Sequence, residues 1–455
     1  MGNNRKKKTN VLSALIIAAT LLVIAGLAVF LIRYLKDEGN SNPGRVTVAD
    51  EKEQPAQETD EATETDINTT EETAEETTAE TGTEETPETG KETETAETPE
   101  EPAEPEPEPS QADLILADMT VHEKVCQLFM VYPSAIVGTN PVTSAGEMTK
   151  AALEKNPVGG LVYNMTNMQT KEQVREMADN SQSFVDIPLF IACDEEGGRV
   201  GRLMFTVGTT KIGAMLQYKD QGTEKAYENA FTIGSDMSDC GLNLNLAPVA
   251  DVWSNPANTV IGDRAYSDDF DEAAILVAAA VEGFHAGGVG CTLKHFPGHG
   301  DTVEDTHYGM AHVYKTLDEL REGEFIPFKA GIEAGADAIM LGHMVVSDVS
   351  DLPVIFSHTI VTDILRGELG FDGVVMTDAL EMKAIRDNYT SGEASLMCID
   401  AGVDIILCPI DFNDAVTTVE NAVNSGRISE ERLDESVRRI LQAKINMGLI
   451  PENEP

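Results

Sequence analysis

From residue 111 onward the chain alternates short runs of continuous apolar residues with stretches in which apolar residues recur every three or four positions. Eight apolar runs can be counted, at 125–132, 159–164, 188–194, 242–251, 289–296, 336–343, 373–378 and 403–409. Unbroken hydrophobicity, rather than alternation, marks parallel strands covered on both faces, because neither face of such a strand meets water. Between them, residues 171–184, 271–285, 317–334 and 430–449 carry the helical period. Eight strand–helix units in succession predict a (β/α)8 TIM barrel with long loops, occupying residues 111–455.

The pattern ahead of residue 111 is different. Residues 11–32 hold no charge, and 22 helical residues span roughly 33 Å, enough for a hydrocarbon core. Arg5, Lys6, Lys7 and Lys8 precede the run and only Arg33 and Lys36 follow closely, so residues 1–10 are expected in the cytoplasm and the rest outside the cell membrane. A cleaved signal usually has an apolar region of only about 7–15 residues, so a retained single-pass anchor is expected. Residues 37–110 hold 26 Asp/Glu against Arg45, Lys52 and Lys91, with many Thr and Pro and almost no large apolar side chain. Such a segment buries too little surface to offset the entropy of ordering, and it reads as a disordered linker.

The net charge of −47 leaves the whole protein acidic, which excludes nucleic acid as a partner, since phosphate binding needs clustered Lys and Arg. Six cysteines in an exported domain invite disulfides. However, Cys193, Cys291 and Cys408 fall inside apolar runs and no C-x-x-C pair occurs, so buried thiols are expected.

Polar residues collect where the strands end, the end at which such barrels place their chemistry. The third run ends at Asp194-Glu195-Glu196, the fourth at Asp251, the fifth at Lys294-His295, the sixth at His343 and the seventh at Asp378. The eighth ends at Cys408-Pro409, with no evident catalytic group. Four of the eight histidines, His295, His299, His307 and His312, fall within eighteen residues, together with Asp301 and Asp305. One reading is a metal site; the absence of an H-E-x-x-H helix weighs against it, and no metal or cofactor is called for. The other is proton transfer, with Asp305 accepting one ring N–H of His307 while the other nitrogen faces substrate. Asp378 at a strand end suits a nucleophile, and retaining glycosidases pair such a carboxylate with a proton-transferring group.

The segment Lys294-His295-Phe296-Pro297-Gly298-His299-Gly300-Asp301-Thr302, followed by Asp305-Thr306-His307, resembles the signature of glycoside hydrolase family 3, in its β-N-acetylglucosaminidase branch. Three further blocks agree, at residues 194–200, 260–266 and 375–382. The resemblance implies Asp378 as nucleophile, His307 as acid/base and Asp305 as its orienting partner. It also implies Asp194, Arg202, Arg264, Lys294 and His295 as contacts to a terminal sugar, with His299 shaping the loop. The implied substrate is a carbohydrate ending in β-linked N-acetylglucosamine, and export favours peptidoglycan fragments. A β-glucosidase of the same family and a non-catalytic wall-binding barrel are the alternatives. Glu195 departs from the branch, which commonly has Gln there; that change adds charge near the pocket.

Overall fold

All eight apolar runs become parallel strands in the computed structural model, which describes residues 109–302 and 309–451. They are β1 (Phe129–Val131), β2 (Gly160–Val162), β3 (Phe190–Cys193), β4 (Leu244–Asn245), β5 (Gly290–Phe296), β6 (Ala338–Leu341), β7 (Val374–Thr377) and β8 (Ile406–Leu407). Each pairs with its neighbour in sequence from β1 to β7, and β1 pairs with β8, Phe129 opposite Ile406. A bridge between Met376 and Ile405 meets the remaining seam, so the sheet is a nearly closed barrel. Helices follow the strands in turn: α1 (Glu147–Lys155), α2 (Lys171–Gln182), α3 (Gly222–Asp239), α4 (Phe270–Ala286), α5 (Phe325–Glu333), α6 (Thr359–Glu368), α7 (Ser391–Ala401) and α8 (Phe412–Asn424). A final helix, α9 (Glu430–Asn446), packs at the end where the strands begin.

Three differences from the sequence pattern have local causes. Residues 125–127 are helical, the end of Val121–Gln127, because Thr120 and Glu123 form a capping box that starts a helix. The long helix expected over 317–334 is two, Leu317–Glu322 and α5, broken at Gly323. A Cβ on Gly323 would lie 3.1 Å from the Phe270 ring, so the chain turns at a residue with little room for a side chain. The run at 242–251 pairs regularly only at Leu244–Asn245; Pro248 has no N–H to give, and contact with β5 resumes through a Val249–Lys294 bridge.

The seam between β7 and β8 is held by Asp404, which is wholly buried. It accepts from the Val375 N–H at 2.9 Å and the Ser436 hydroxyl at 2.7 Å, and it pairs with Arg366 and Arg439. All six cysteines are buried free thiols, as expected from their apolar surroundings. Among the described residues no helix is long and apolar enough to cross a membrane. The anchor expected at 11–32 and the linker expected at 37–110 lie outside the described residues, save Pro109 and Ser110 at the linker's end.

Lys444 on α9 is also fully buried, with the Gln127 side-chain oxygen at 2.8 Å and the Phe190 ring 5.0 Å away. Burial pulls its ammonium down to about 7. The unfolded chain therefore binds the extra proton between pH 7 and about 10.4, and stability should rise with pH across that window. Lys444→Met should flatten this rise in thermal unfolding measured from neutral to alkaline pH. An identical slope in the variant would show that Lys444 is not the group responsible.

Candidate active site

The ends of β3, β5 and β7 carry polar residues into one cavity of about 240 Å³. Beyond β3, Asp194 is followed by a tight ribbon, Glu195–Gly197 against Val200–Gly201. Gly198 at its turn has φ +58°, and a Cβ there would meet Ala214 Cα at 2.7 Å. This reversal returns the chain so that Arg202 faces Asp194, with Nη2 donating to Oδ2 at 3.0 Å. Glu195 fixes the same turn. Its carboxylate accepts from the backbone N–H groups of Arg202, Leu203 and Met204 at 2.6, 2.7 and 3.1 Å. The carboxylate expected near the pocket thus holds the backbone turn that presents Arg202, and Glu195 does not line the cavity.

Strand β5 supplies two adjacent residues to the same cavity, which regular alternation forbids. The pairing of β5 with β6 shifts register between Lys294 and Phe296, and Lys294 and His295 both line the pocket. Lys294 is 2% exposed, and its ammonium bridges Asp194 at 2.8 Å and Glu196 at 2.6 Å. Arg264, from the turn Gly262–Arg264, grips Glu196 with two N–H bonds of 2.8 Å. Burial drives both carboxyls upward, but Lys294 with Arg202 holds Asp194 well below the usual range, and Arg264 with Lys294 holds Glu196 at about 2. The same carboxylates raise Lys294 and Arg264 against the burial that would lower them.

This network predicts that Lys294→Met costs about 2–3 kcal/mol of folding stability, because it removes the cation that bridges Asp194 and Glu196 and leaves each acid with its arginine alone. Denaturant unfolding measures it; a loss under about 1 kcal/mol would contradict the role given to the ammonium. Both carboxyls being depressed, the network's contribution is full above about pH 4.3 and falls away as pH drops toward the folded values.

His295 places Nδ1 2.7 Å from Asp251, leaving Nε2 as the nitrogen a ligand can meet. Asp251 is buried, and its other oxygen accepts from the His299 N–H at 2.6 Å. His299 in turn contacts the Thr302 hydroxyl at 2.6 Å, and its carbonyl accepts from Asn258, so it does shape its loop while lining the pocket. Asp378 follows β7, half-buried, with its N–H bonded to Leu341 O and its Oδ1 accepting from Ala379 N at 2.7 Å. His343 steadies that turn by donating from Nε2 to Ala379 O at 2.9 Å.

Six expected site residues, Asp194, Arg202, Arg264, Lys294, His295 and Asp378, therefore meet in one cavity. Asp305 and His307 lie outside the described residues. Glu196, Tyr132 and Glu381 also line the pocket and were given no role from sequence. Glu196 was open to detection, since it neighbours Asp194 at a strand end and an unpaired buried acid there needs a cation. Tyr132 carried no such signal. A larger recess of about 760 Å³ opens at the opposite end, where strands begin. Its His285–Asp337 pair ties the end of α4 to the start of β6, a stabilising role typical of that face.

Known proteins share this barrel. Residues 120–443 match the model of the glycosyl hydrolase family 3 N-terminal domain. The chain is 34% identical over 325 residues to beta-hexosaminidase A of Pseudoalteromonas piscicida, covering 65% of this chain but 54% of that protein. It is 38% identical over 276 residues to a beta-hexosaminidase of Xylella fastidiosa (strain M23), covering 59% and 81%. The solved family 3 beta-N-acetylglucosaminidase of Paenibacillus sp. str. FPU-7 superposes with a TM-score of 0.69 at 37% identity, over 74% of this chain and 64% of that one. The beta-N-acetylhexosaminidase of Beutenbergia cavernae DSM 12333 gives 0.65 at 31%, over 72% and 99%. With most of the barrel matched by the family model and the strand-end residues gathered in one pocket, the chain belongs to glycosyl hydrolase family 3.

Proposed function

We propose that the protein is a retaining exo-β-N-acetylglucosaminidase that removes terminal β-linked N-acetylglucosamine, with peptidoglycan fragments as its substrate class. The observation that carries this reading is the compact cavity in which Asp378 stands with the paired group Asp194, Arg202, Lys294, Arg264 and Glu196. At about 240 Å³ it is smaller than the ~300–1,000 Å³ of drug-sized sites, which suits one terminal sugar rather than the middle of a polymer. Relatives named beta-hexosaminidase support the same bond type.

In this scheme Asp194, Arg202, Lys294, Arg264 and His295 hold the sugar's polar groups, and the carboxylate of Asp378 attacks the anomeric carbon. The bond to the leaving oxygen breaks as His307, oriented by Asp305, gives that oxygen a proton. The imidazole then takes a proton from water, which displaces Asp378 and restores the β-configuration. We propose further that residues 11–32 anchor the protein in the cell membrane and that the acidic stretch after them holds the barrel outside.

The test is hydrolysis of an aryl β-N-acetylglucosaminide against the matching aryl β-glucoside, with the first product's anomer read by NMR. Preference for the N-acetyl sugar and initial β-anomer are expected. A preference for glucoside would reassign the substrate, and initial α-anomer would exclude double displacement.

A further inference from the structure

The charges of the pocket are not evenly matched. Arg202, Lys294 and Arg264 are each bonded to Asp194 or Glu196. Asp378 and Glu381 line the same cavity, and among the described residues neither has a cation within ion-pair distance. Glu381 stands three residues beyond Asp378 and is exposed, whereas Leu380 between them is buried and its N–H bonds to Leu407 O at 2.9 Å. That anchor turns the loop so that Glu381 faces out at the rim. Tyr132, just beyond β1, donates its hydroxyl to Glu381 Oε1 at 3.1 Å. Because β8 lies between β1 and β7, this bond crosses above the strand whose own end, Cys408-Pro409, brings no charged group.

We infer that Glu381, held by Tyr132, reads the aglycone: it accepts hydrogen bonds from the first sugar beyond the cleaved bond and repels a free carboxylate there. The inference rests on the proposed glycosidase activity and adds a preference to it. One carboxylate oxygen is engaged by the phenol, and the other is available to a hydroxyl, amide N–H or ammonium donor. Burial pushes the Tyr132 phenol up, so it stays a neutral donor at every working pH. Among wall fragments, those whose lactyl group is amidated by a stem peptide are favoured over those stripped to the free acid.

The full-length protein is assayed below neutral pH on three disaccharides that share a terminal β-N-acetylglucosamine. Their second sugar is glucosamine with a free ammonium, neutral N-acetylglucosamine, or N-acetylmuramic acid with a free lactyl carboxylate. An aryl N-acetylglucosaminide reports bond cleavage itself. Wild type is expected to rank kcat/KM as ammonium, then neutral, then carboxylate. Glu381→Gln should compress the ammonium-to-carboxylate ratio by on the order of tenfold, and Glu381→Lys should invert the ranking. Tyr132→Phe should compress it less, by freeing the carboxylate to turn away. An unchanged ratio in both Glu381 variants, with the aryl substrate still cleaved, overturns the inference and leaves the activity standing. Failure of wild type to cleave the aryl substrate overturns the activity and the inference with it.

Discussion

Asp378→Asn lowers hydrolysis of an aryl β-N-acetylglucosaminide by on the order of 10⁴-fold or more, while the protein unfolds within a few degrees of wild type. The amide has nearly the same shape, and its oxygen still accepts the Ala379 N–H that now bonds Asp378 Oδ1. The turn is also held independently, by Asp378 N to Leu341 O and by His343 to Ala379 O. What the variant loses is the anionic oxygen that, in the proposed scheme, forms the bond to the sugar. Activity above about one-hundredth of wild type in a folded variant would move the nucleophile elsewhere, with Asp194 next in line; Asp194, however, is engaged by Arg202 and Lys294.

His307→Ala lowers kcat/KM on a natural disaccharide by about 10²–10⁴-fold, the usual contribution of a general acid–base group. An aryl leaving group needs little protonation, so formation of the glycosyl-enzyme suffers much less there and its hydrolysis becomes limiting. Azide then restores turnover by attacking without a base, giving a β-glycosyl azide. Asp305→Ala acts in the same direction, since the imidazole loses its orientation and the stabilisation of its charged form. Equal losses on both substrates without azide rescue would transfer the proton role. The Asp251–His295 pair, an imidazole 2.7 Å from a buried carboxylate at the pocket wall, would be the next group to test.

Much of this arrangement was legible in the sequence because parallel strands announce themselves by unbroken hydrophobicity. Each of the eight runs contains its strand, and the ends of the third, fifth and seventh bring Asp194, Glu196, Lys294, His295 and Asp378 into one cavity. What the pattern did not carry was anything decided by three-dimensional partners. Glu195 and Glu196 are adjacent acids of identical type, yet one caps a backbone turn and the other neutralises Lys294 and Arg264. The pleat and the bulge separate them, and neither is visible in composition. Lys444 falls within the helical period of 430–449 without any mark of its own, and only the packing of α9 against β3 reveals it as buried. Tyr132 and Glu381 are 249 residues apart and meet because β1 and β7 flank β8.

That ring order also governs when the molecule can become itself. The first strand finds its second neighbour only in the last, Phe129 against Ile406, so the sheet stays open at one edge until nearly the whole chain has emerged. The α9 partners that clasp Asp404 at the seam, Ser436 and Arg439, arrive later still. Contacts this distant in sequence make folding slow and leave apolar strand edges uncovered meanwhile. A chain emerging from its N-terminus therefore presents an incomplete sheet and depends on its final helix for closure. Truncation before Glu430 should then give not a weakened enzyme but an aggregating one, with the residues of the pocket present and never assembled.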